Sequence, residues 1–211
     1  MSRRPYDASG RKAAAAQTQA HVVEVATRLL LERGYAGTSI ADVAAQAGVS
    51  TALVYAAFGN KAGLVKRVVD VAIAGDDEPV AVGERPAAAA VAAASSARTR
   101  CRLTAELVAS ISRRTASLIP VLRTAAAADP DIAELVGRQE VGLRAGMREF
   151  VGLLDDAGQL RDGLDVERAA DVAWVLADAA AYHRLVHERG WTQDDYTAWL
   201  AKGFYDGLCR R

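Results

Sequence analysis

Residues 34–64 read GYAGTSIADVAAQAGVSTALVYAAFGNKAGL, and the spacing of their capping, apolar and glycine positions decides the fold. Ser39 followed three residues later by Asp42 has the form of a capping box, with the shorter acid in place of Glu. Ile40, Val43, Ala44 and Ala47 recur at intervals of three and four and mark one helix face. Gly48 stands where a left-handed residue ends a helix at little cost. Val49 is placed to plug the angle between two helices, and Ser50 is an N-cap for the second. In that second helix Val54 and Phe58 turn inward, while Thr51 and Tyr55, also four apart, turn outward. Asn60 caps a third helix carrying Lys61, Leu64, Val65 and Val68. The pattern predicts a helix-turn-helix over about residues 39–58. On geometry alone, two small amphipathic helices of an ordinary bundle fit the same spacing, and that alternative stays open.

The flanks narrow the choice. Upstream, Ala13 to Arg33 reads as one long helix whose Val22, Val25, Ala26, Leu29 and Leu30 form a single apolar stripe. It ends in Glu32-Arg33-Gly34-Tyr35, and the stretch after the second short helix reads Tyr55-Ala56-Ala57-Phe58-Gly59-Asn60-Lys61-Ala62-Gly63-Leu64. From about Thr18 to Val68, roughly a quarter of the chain, the sequence resembles the DNA-binding domain of the tetracycline-repressor (TetR) family. The E-R-G-Y helix end, the T-S-I helix start, the A-x-x-A-G-V-S turn and the Y-x-x-F-x-N-K-x-x-L run carry the likeness. The resemblance implies that Thr38, Ser39, Tyr55 and Lys61 touch DNA phosphate. It also implies that Thr51, Leu53 and Ala56 lie near base edges, with Ser50 and Ala52 beside them at the helix start. Ala57 departs from the family, which commonly has His or another polar residue there.

The second short helix is unusual for what it lacks. Thr51, Ala52, Leu53, Ala56 and Ala57 include no Arg, Lys, Asn or Gln, so the strong bidentate readers of guanine and adenine are missing. Thr51 offers one hydrogen bond, and Leu53 and Ala56 offer apolar contact with thymine methyls. The expectation is a modest direct readout supplemented by DNA shape.

The chain has 211 residues and a net charge of zero. Residues 1–70 hold nine Lys/Arg against five Asp/Glu, and the remainder is correspondingly acidic. A basic head on an acidic body suits a protein whose head alone meets phosphates. Cys101 and Cys209 show no CxxC spacing, and a reducing, cytoplasmic setting is the simplest reading. No stretch reaches the ~20 apolar residues of a membrane span, and the first residues lack the apolar core of a secretory signal. Residues 1–12 carry Arg3, Arg4, Arg11 and Lys12 among Pro, Ser and Gly. They read either as a solvated, disordered tail or as a flexible basic arm that contacts DNA. If they form an arm, deleting residues 2–12 weakens DNA binding and flattens its dependence on salt, measured by fluorescence anisotropy across a salt series.

Beyond residue 79 the sequence is alanine-rich and helical throughout, so the fold class is all-α: an N-terminal three-helix domain (13–74) followed by a helical bundle (79–211) of about nine to ten helices in total. Helices are expected from Lys61 to Ala74, Pro86 to about Ala94, Ala97 to Thr115, Pro120 to about Ala128, Pro130 to Asp156, Val166 to Arg189, and from a Thr192–Asp195 capping box to Cys209. Gly142 and Gly146 in the long central helix suggest close backbone approach. The last two helices carry wide apolar faces that include Val172, Val175, Tyr196, Trp199, Leu200, Phe204 and Leu208. In the family such helices pair across a two-fold axis, which implies a homodimer reading a palindrome with half-sites about 34 Å apart. A plain intramolecular core accounts for a share of the same residues.

No GxSxG, P-loop, GxGxxG or HExxH pattern is present, so no catalytic residues are assigned. His183 and His187 stand four apart with Glu188 beside them, but no third ligand is placed by motif, and neither metal nor cofactor is assigned. The resemblance implies a small-molecule effector, and Met147, Phe150, Trp174 and Tyr182 are the candidate pocket residues. The same aromatics at helical spacing also fit plain core. Effector binding would shift the heads through the helix that starts at Lys61. Two alternatives stay open: a DNA-binding protein without an effector, and a helical protein that has lost DNA binding.

Overall fold

A computed structural model describes residues 8–76, 78 and 80–210, the side chains of residues 8–12 excepted. The described residues are helical and form no strand, as expected. The chain divides into two compact units, one up to Asp70 and one from Val71. The division falls inside a helix, a few residues ahead of the boundary the composition suggests.

The first unit contains α1 (Ala8–Arg33), α2 (Ile40–Ala47), α3 (Thr51–Phe58) and most of α4 (Lys61–Ala74). The stripe of α1 is its core: Val22, Val25, Ala26, Leu29 and Leu30 are all buried, against Ile40, Val43 and Ala44 of α2 and Leu64, Val65 and Val68 of α4. Helix α1 starts five residues earlier than the sequence reading placed it. Ala8–Lys12 are therefore helix rather than a disordered tail, because the alanine run that follows favours helix strongly enough to carry the preceding turn with it. Arg11 and Lys12 sit on this turn, their side chains outside the described residues, and Arg3 and Arg4 lie outside the described residues altogether.

The second unit is a bundle of α5 (Pro86–Ala93), α6 (Ala97–Thr115), α7 (Leu118–Ala126), α8 (Pro130–Asp156), α9 (Val166–Leu176), α10 (Ala179–Tyr182) and α11 (Gln193–Leu208). A short 3-10 turn, Val82–Glu84, precedes α5. Helix α11 packs chiefly on α6, and α8 on α9. Their shared core holds Cys101, Ala105 and Val108 of α6, Met147, Phe150 and Leu154 of α8, Ala169 and Ala173 of α9, and Tyr196, Leu200, Phe204 and Leu208 of α11. Four large side chains of α11 are thus spent inside the unit, while Trp199 and Tyr205 are half-buried. Apolar side chains that face out include Val141 of α8, 70% exposed, and two on α9, Val172 at 41% and Val175 at 64%.

Two expectations fail here. The helix expected from Val166 to Arg189 is broken after Leu176. The Asp178 carboxylate accepts a hydrogen bond from the Ala180 N–H at 2.8 Å and starts α10 afresh. An Asp in an alanine-rich run competes with the helix ladder for backbone donors, so a new N-cap wins over continuation. The segment then widens into a π-helical turn, His183–Glu188, before Gly190 ends it. The close approach expected at Gly142 and Gly146 is also absent, since a Cβ built on either would meet nothing within 4 Å.

Among the glycines with positive φ, two end α2 and α4. Gly48 closes α2 at φ 66°, ψ 29°, donating its N–H to the α2 carbonyls of Ala44 and Ala45. Gly75 ends α4 at φ 90°, and the Arg114 guanidinium lies against it, 3.1 Å from where a Cβ would stand. That guanidinium donates to the carbonyls of Ala72 (2.7 Å) and Ile73 (2.9 Å), groups a helix end leaves without partners. Among the described residues no single helix is long and apolar enough to cross a membrane.

Gly48→Ala destabilises the first unit by about 1–2 kcal/mol through backbone strain alone. Gly142→Ala stabilises the second by about 1 kcal/mol, because it adds a helix former in open space. Urea unfolding of the two variants checks both signs.

Candidate nucleic-acid interface

The turn between α2 and α3 is built by short-range hydrogen bonds. The Ser39 hydroxyl accepts from the Asp42 N–H at 3.1 Å and donates to the Asp42 carboxylate at 2.5 Å, while the Ser39 N–H donates to the same carboxylate at 3.1 Å. This reciprocal box fixes the start of α2. The hydrogen bonds from Ser39 hold the Asp42 carboxyl below its ordinary value of 3.8. At the start of α3 the Ser50 hydroxyl accepts from the Leu53 N–H at 3.2 Å, leaving its own O–H as a donor. The Arg28 guanidinium bonds Gln46 at 2.9 Å and ties α1 to α2.

Helix α3 is held by very little. Val54 is its one fully buried residue, Phe58 and Ala57 are half-buried, and Thr51, Ala52, Leu53, Tyr55 and Ala56 are exposed. Leu53 shows 38% of its surface and Tyr55 54%. An eight-residue helix therefore presents an apolar ridge of Ala52, Leu53 and Ala56 with one hydroxyl at each end, on Thr51 and Tyr55.

Other residues named from sequence sit differently. Thr38 is 4% exposed, and its hydroxyl donates to the carbonyls of Leu29 and Gly34, so its side chain secures the α1 end instead of facing outward. Polar capping of α1 by the loop that leaves it was not legible from the T-S-I pattern. The Lys61 ammonium donates to the Tyr35 carbonyl at 2.5 Å and lies 3.8 Å over the Tyr35 ring. A lysine fastened this way braces α4 against the loop after α1.

In the second unit the residues named for an effector pocket are packed. Met147, Phe150 and Tyr182 belong to the buried core, and Trp174 lies half-buried at its edge. Phe150 packs on Phe204 with centroids 5.3 Å apart, and Tyr182 on Tyr196 at 4.8 Å, its hydroxyl donating to Gln193 at 2.5 Å. Burial pushes the Tyr196 phenol up to about 12. The His183 and His187 rings meet at a tilt within the π-helical turn, centroids 5.3 Å and planes 60° apart, with His183 3.7 Å from Glu188. Sequence reasoning missed two buried or half-buried arginines. Arg100, 5% exposed, donates to the Val91 and Ala94 carbonyls and to the Gln159 side chain, and Arg114 holds the end of α4. An isolated Arg on a helix surface pattern carries no signal of which distant carbonyls it will meet.

An all-α chain whose first unit turns through a glycine to expose a short, capped second helix is a helix-turn-helix protein. Residues 22–68 match the family described as bacterial regulatory proteins, tetR family. Residues 22–68 are thus a TetR-family domain, and the whole chain takes the fold of that family's proteins. The HTH-type transcriptional regulator TtgR of Pseudomonas putida is 42% identical over 59 residues, which is 28% of this chain and 28% of that protein. The chain so matches under a third of the length of that relative. Over nearly its full length the chain resembles solved structures in fold. NalD of Pseudomonas aeruginosa, the secondary repressor of the MexAB-OprM multidrug efflux pump, superposes with TM-score 0.71 at 20% identity, covering 93% of this chain and 98% of that one. A transcriptional regulator of Saccharomonospora viridis, solved in complex with choline, gives 0.68 at 21%, covering 92% and 99%.

Ser39→Ala removes the hydroxyl arm of the box, leaves the backbone N–H arm to Asp42, and costs about 1 kcal/mol. Because Asp42 has a lowered folded pKa, its contribution is present above its unfolded value and is lost as pH falls through the folded one. Urea midpoints of wild type and Asp42→Asn, which differ at neutral pH, therefore converge below about pH 4.

Proposed function

We propose that this protein is a DNA-binding transcriptional regulator that acts as a homodimer on a palindromic operator, represses, and is released by a small-molecule effector. The observation that carries the reading is α3, which is capped at Ser50, anchored by Val54 and otherwise turned outward with Thr51, Leu53, Tyr55 and Ala56 exposed. A short apolar helix face left in water is costly unless something covers it, and a major groove lined with thymine methyls fits its chemistry. The Tyr55 and Ser50 hydroxyls and the first-turn N–H groups of α2 serve as phosphate donors in this reading. Thr38 and Lys61 then act by holding the loop and α4 in place.

One such head spans few base pairs, so two on a symmetric dimer supply the affinity. Val172 and Val175 on α9 are exposed apolar residues that a second copy would cover. A dimer seated on a promoter excludes polymerase, hence repression, and the repressor role of NalD and the choline bound to the Saccharomonospora viridis regulator support the direction and the effector. DNA-directed work places the protein in the cytoplasm. The effector's route to DNA is a population shift through α4, whose last turn is gripped by Arg114.

Selection of duplexes from a random library with the full-length chain tests the reading. The expected product is an inverted repeat, with affinity falling steeply with salt. Tyr55→Phe weakens binding to it about five- to tenfold, the worth of one phosphate hydrogen bond, at unchanged thermal stability. A library that yields no enriched sequence, or affinity indifferent to both Tyr55→Phe and Leu53→Ala, refutes it.

A further inference from the structure

Cys101 and Cys209 lie 108 positions apart in the sequence, yet their sulfurs stand 3.6 Å apart in the core. Each is 1% exposed. Cys101 is in the first two turns of α6. Cys209 directly follows α11 in extended backbone (φ −99°, ψ 155°), where it forms an isolated bridge with Leu160. Two backbone bonds hold this strap, Arg161 N–H to the Leu208 carbonyl at 2.8 Å and Arg210 N–H to the Gln159 carbonyl at 3.0 Å. The Arg100 guanidinium is buried next to the pair and bonds Gln159 at 2.6 Å.

We propose that Cys101 and Cys209 are a redox modification site, a dithiol that a hydroperoxide converts to an intramolecular disulfide joining α6 to the segment after α11. The two sulfurs need to close to about 2.05 Å, a movement of roughly 1.5 Å. The extended strap at Cys209 supplies it more readily than the helical backbone at Cys101, and release of the strap also admits the oxidant. Cys209, carried on the extended strap that supplies the movement, is the attacking sulfur. The hydrogen bond from Cys101 lowers its pKa, and the Arg100 charge lowers it further, while Cys101 is pushed up and keeps its proton. The Cys209 thiolate attacks one peroxide oxygen, the O–O bond breaks, and the departing hydroxide takes a proton to leave as water. The resulting sulfenic acid is attacked by the Cys101 sulfur, an S–S bond forms and the S–O bond breaks. The hydroxide released takes the Cys101 proton as a second water. Two sulfurs are each oxidised by one electron and the two peroxide oxygens are each reduced by one.

If the pair were merely small apolar filler, both thiols would survive oxidant unchanged. The site does not depend on the DNA-binding reading. The test treats reduced full-length protein with a small excess of hydrogen peroxide, blocks free thiols in denaturant and digests it. The expected result is a monomer lighter by about 2 Da, a peptide pair linked through Cys101 and Cys209, and no alkylation at either. Thermal stability rises by about 10 °C and returns on reduction. Cys101→Ser leaves Cys209 as a sulfenic acid that dimedone captures, whereas Cys209→Ser gives no such adduct. Two alkylated cysteines after peroxide, a disulfide between chains, or a sulfinic acid in the wild type overturns the proposal.

Discussion

An eight-residue helix cannot hold itself together in water, because forming its first turn costs more than its few hydrogen bonds return. Helix α3 is such a helix, and its one fully buried residue is Val54. Its position follows from what surrounds it: the left-handed Gly48, the Ser50 cap, and the core that α1 builds beneath α2 and α4. The exposed face of α3 is free to be apolar because the scaffold, and not that face, provides its stability. The same division explains Thr38 and Lys61. Both are polar residues flanking the helix-turn-helix, and both hold the loop that leaves α1, Thr38 by bonding Leu29 and Gly34 and Lys61 by bonding Tyr35.

The second unit is organised by the pairing of α6 with α11. Tyr196, Leu200, Phe204 and Leu208 line one face of α11 and disappear into this unit, while Val141 of α8 and Val172 and Val175 of α9 stay outside. Polar side chains then finish the backbone. Arg114 takes the last carbonyls of α4, Asp178 begins α10, and Arg100 with Gln159 joins the α8–α9 turn to the loop ahead of α6. Asp76 sits beside the α4 end, where the Arg85 guanidinium bonds both of its oxygens at 2.6 and 2.8 Å and brings its carboxyl down to about 2.

Local signals carried the first unit a long way. The Ser39–Asp42 and Thr192–Asp195 boxes, the Gly48 turn and the α1 stripe depend on residues within one or two turns of each other, so their geometry is implicit in their spacing. The bounds of α4 and α6 were legible for the same reason. The break after Leu176 was not, since Ala177-Asp178-Ala179 satisfies a helix as readily as a cap until the packing chooses between them. The packed state of Met147, Phe150 and Tyr182 was equally hidden, because an aromatic at helical spacing has the same pattern whether it lines a cavity or fills a core.

By itself, the order of residues determined an all-α chain, a helix-turn-helix near its start, and which side chains of α3 turn away from Val54. These are consequences of helical periodicity and capping, which act over a few residues. Only the tertiary structure decided that Thr38 is buried, that Lys61 is fastened to Tyr35, and that two cysteines 108 positions apart touch. Each of those depends on how separate helices settle against one another, and no spacing within a single helix encodes it.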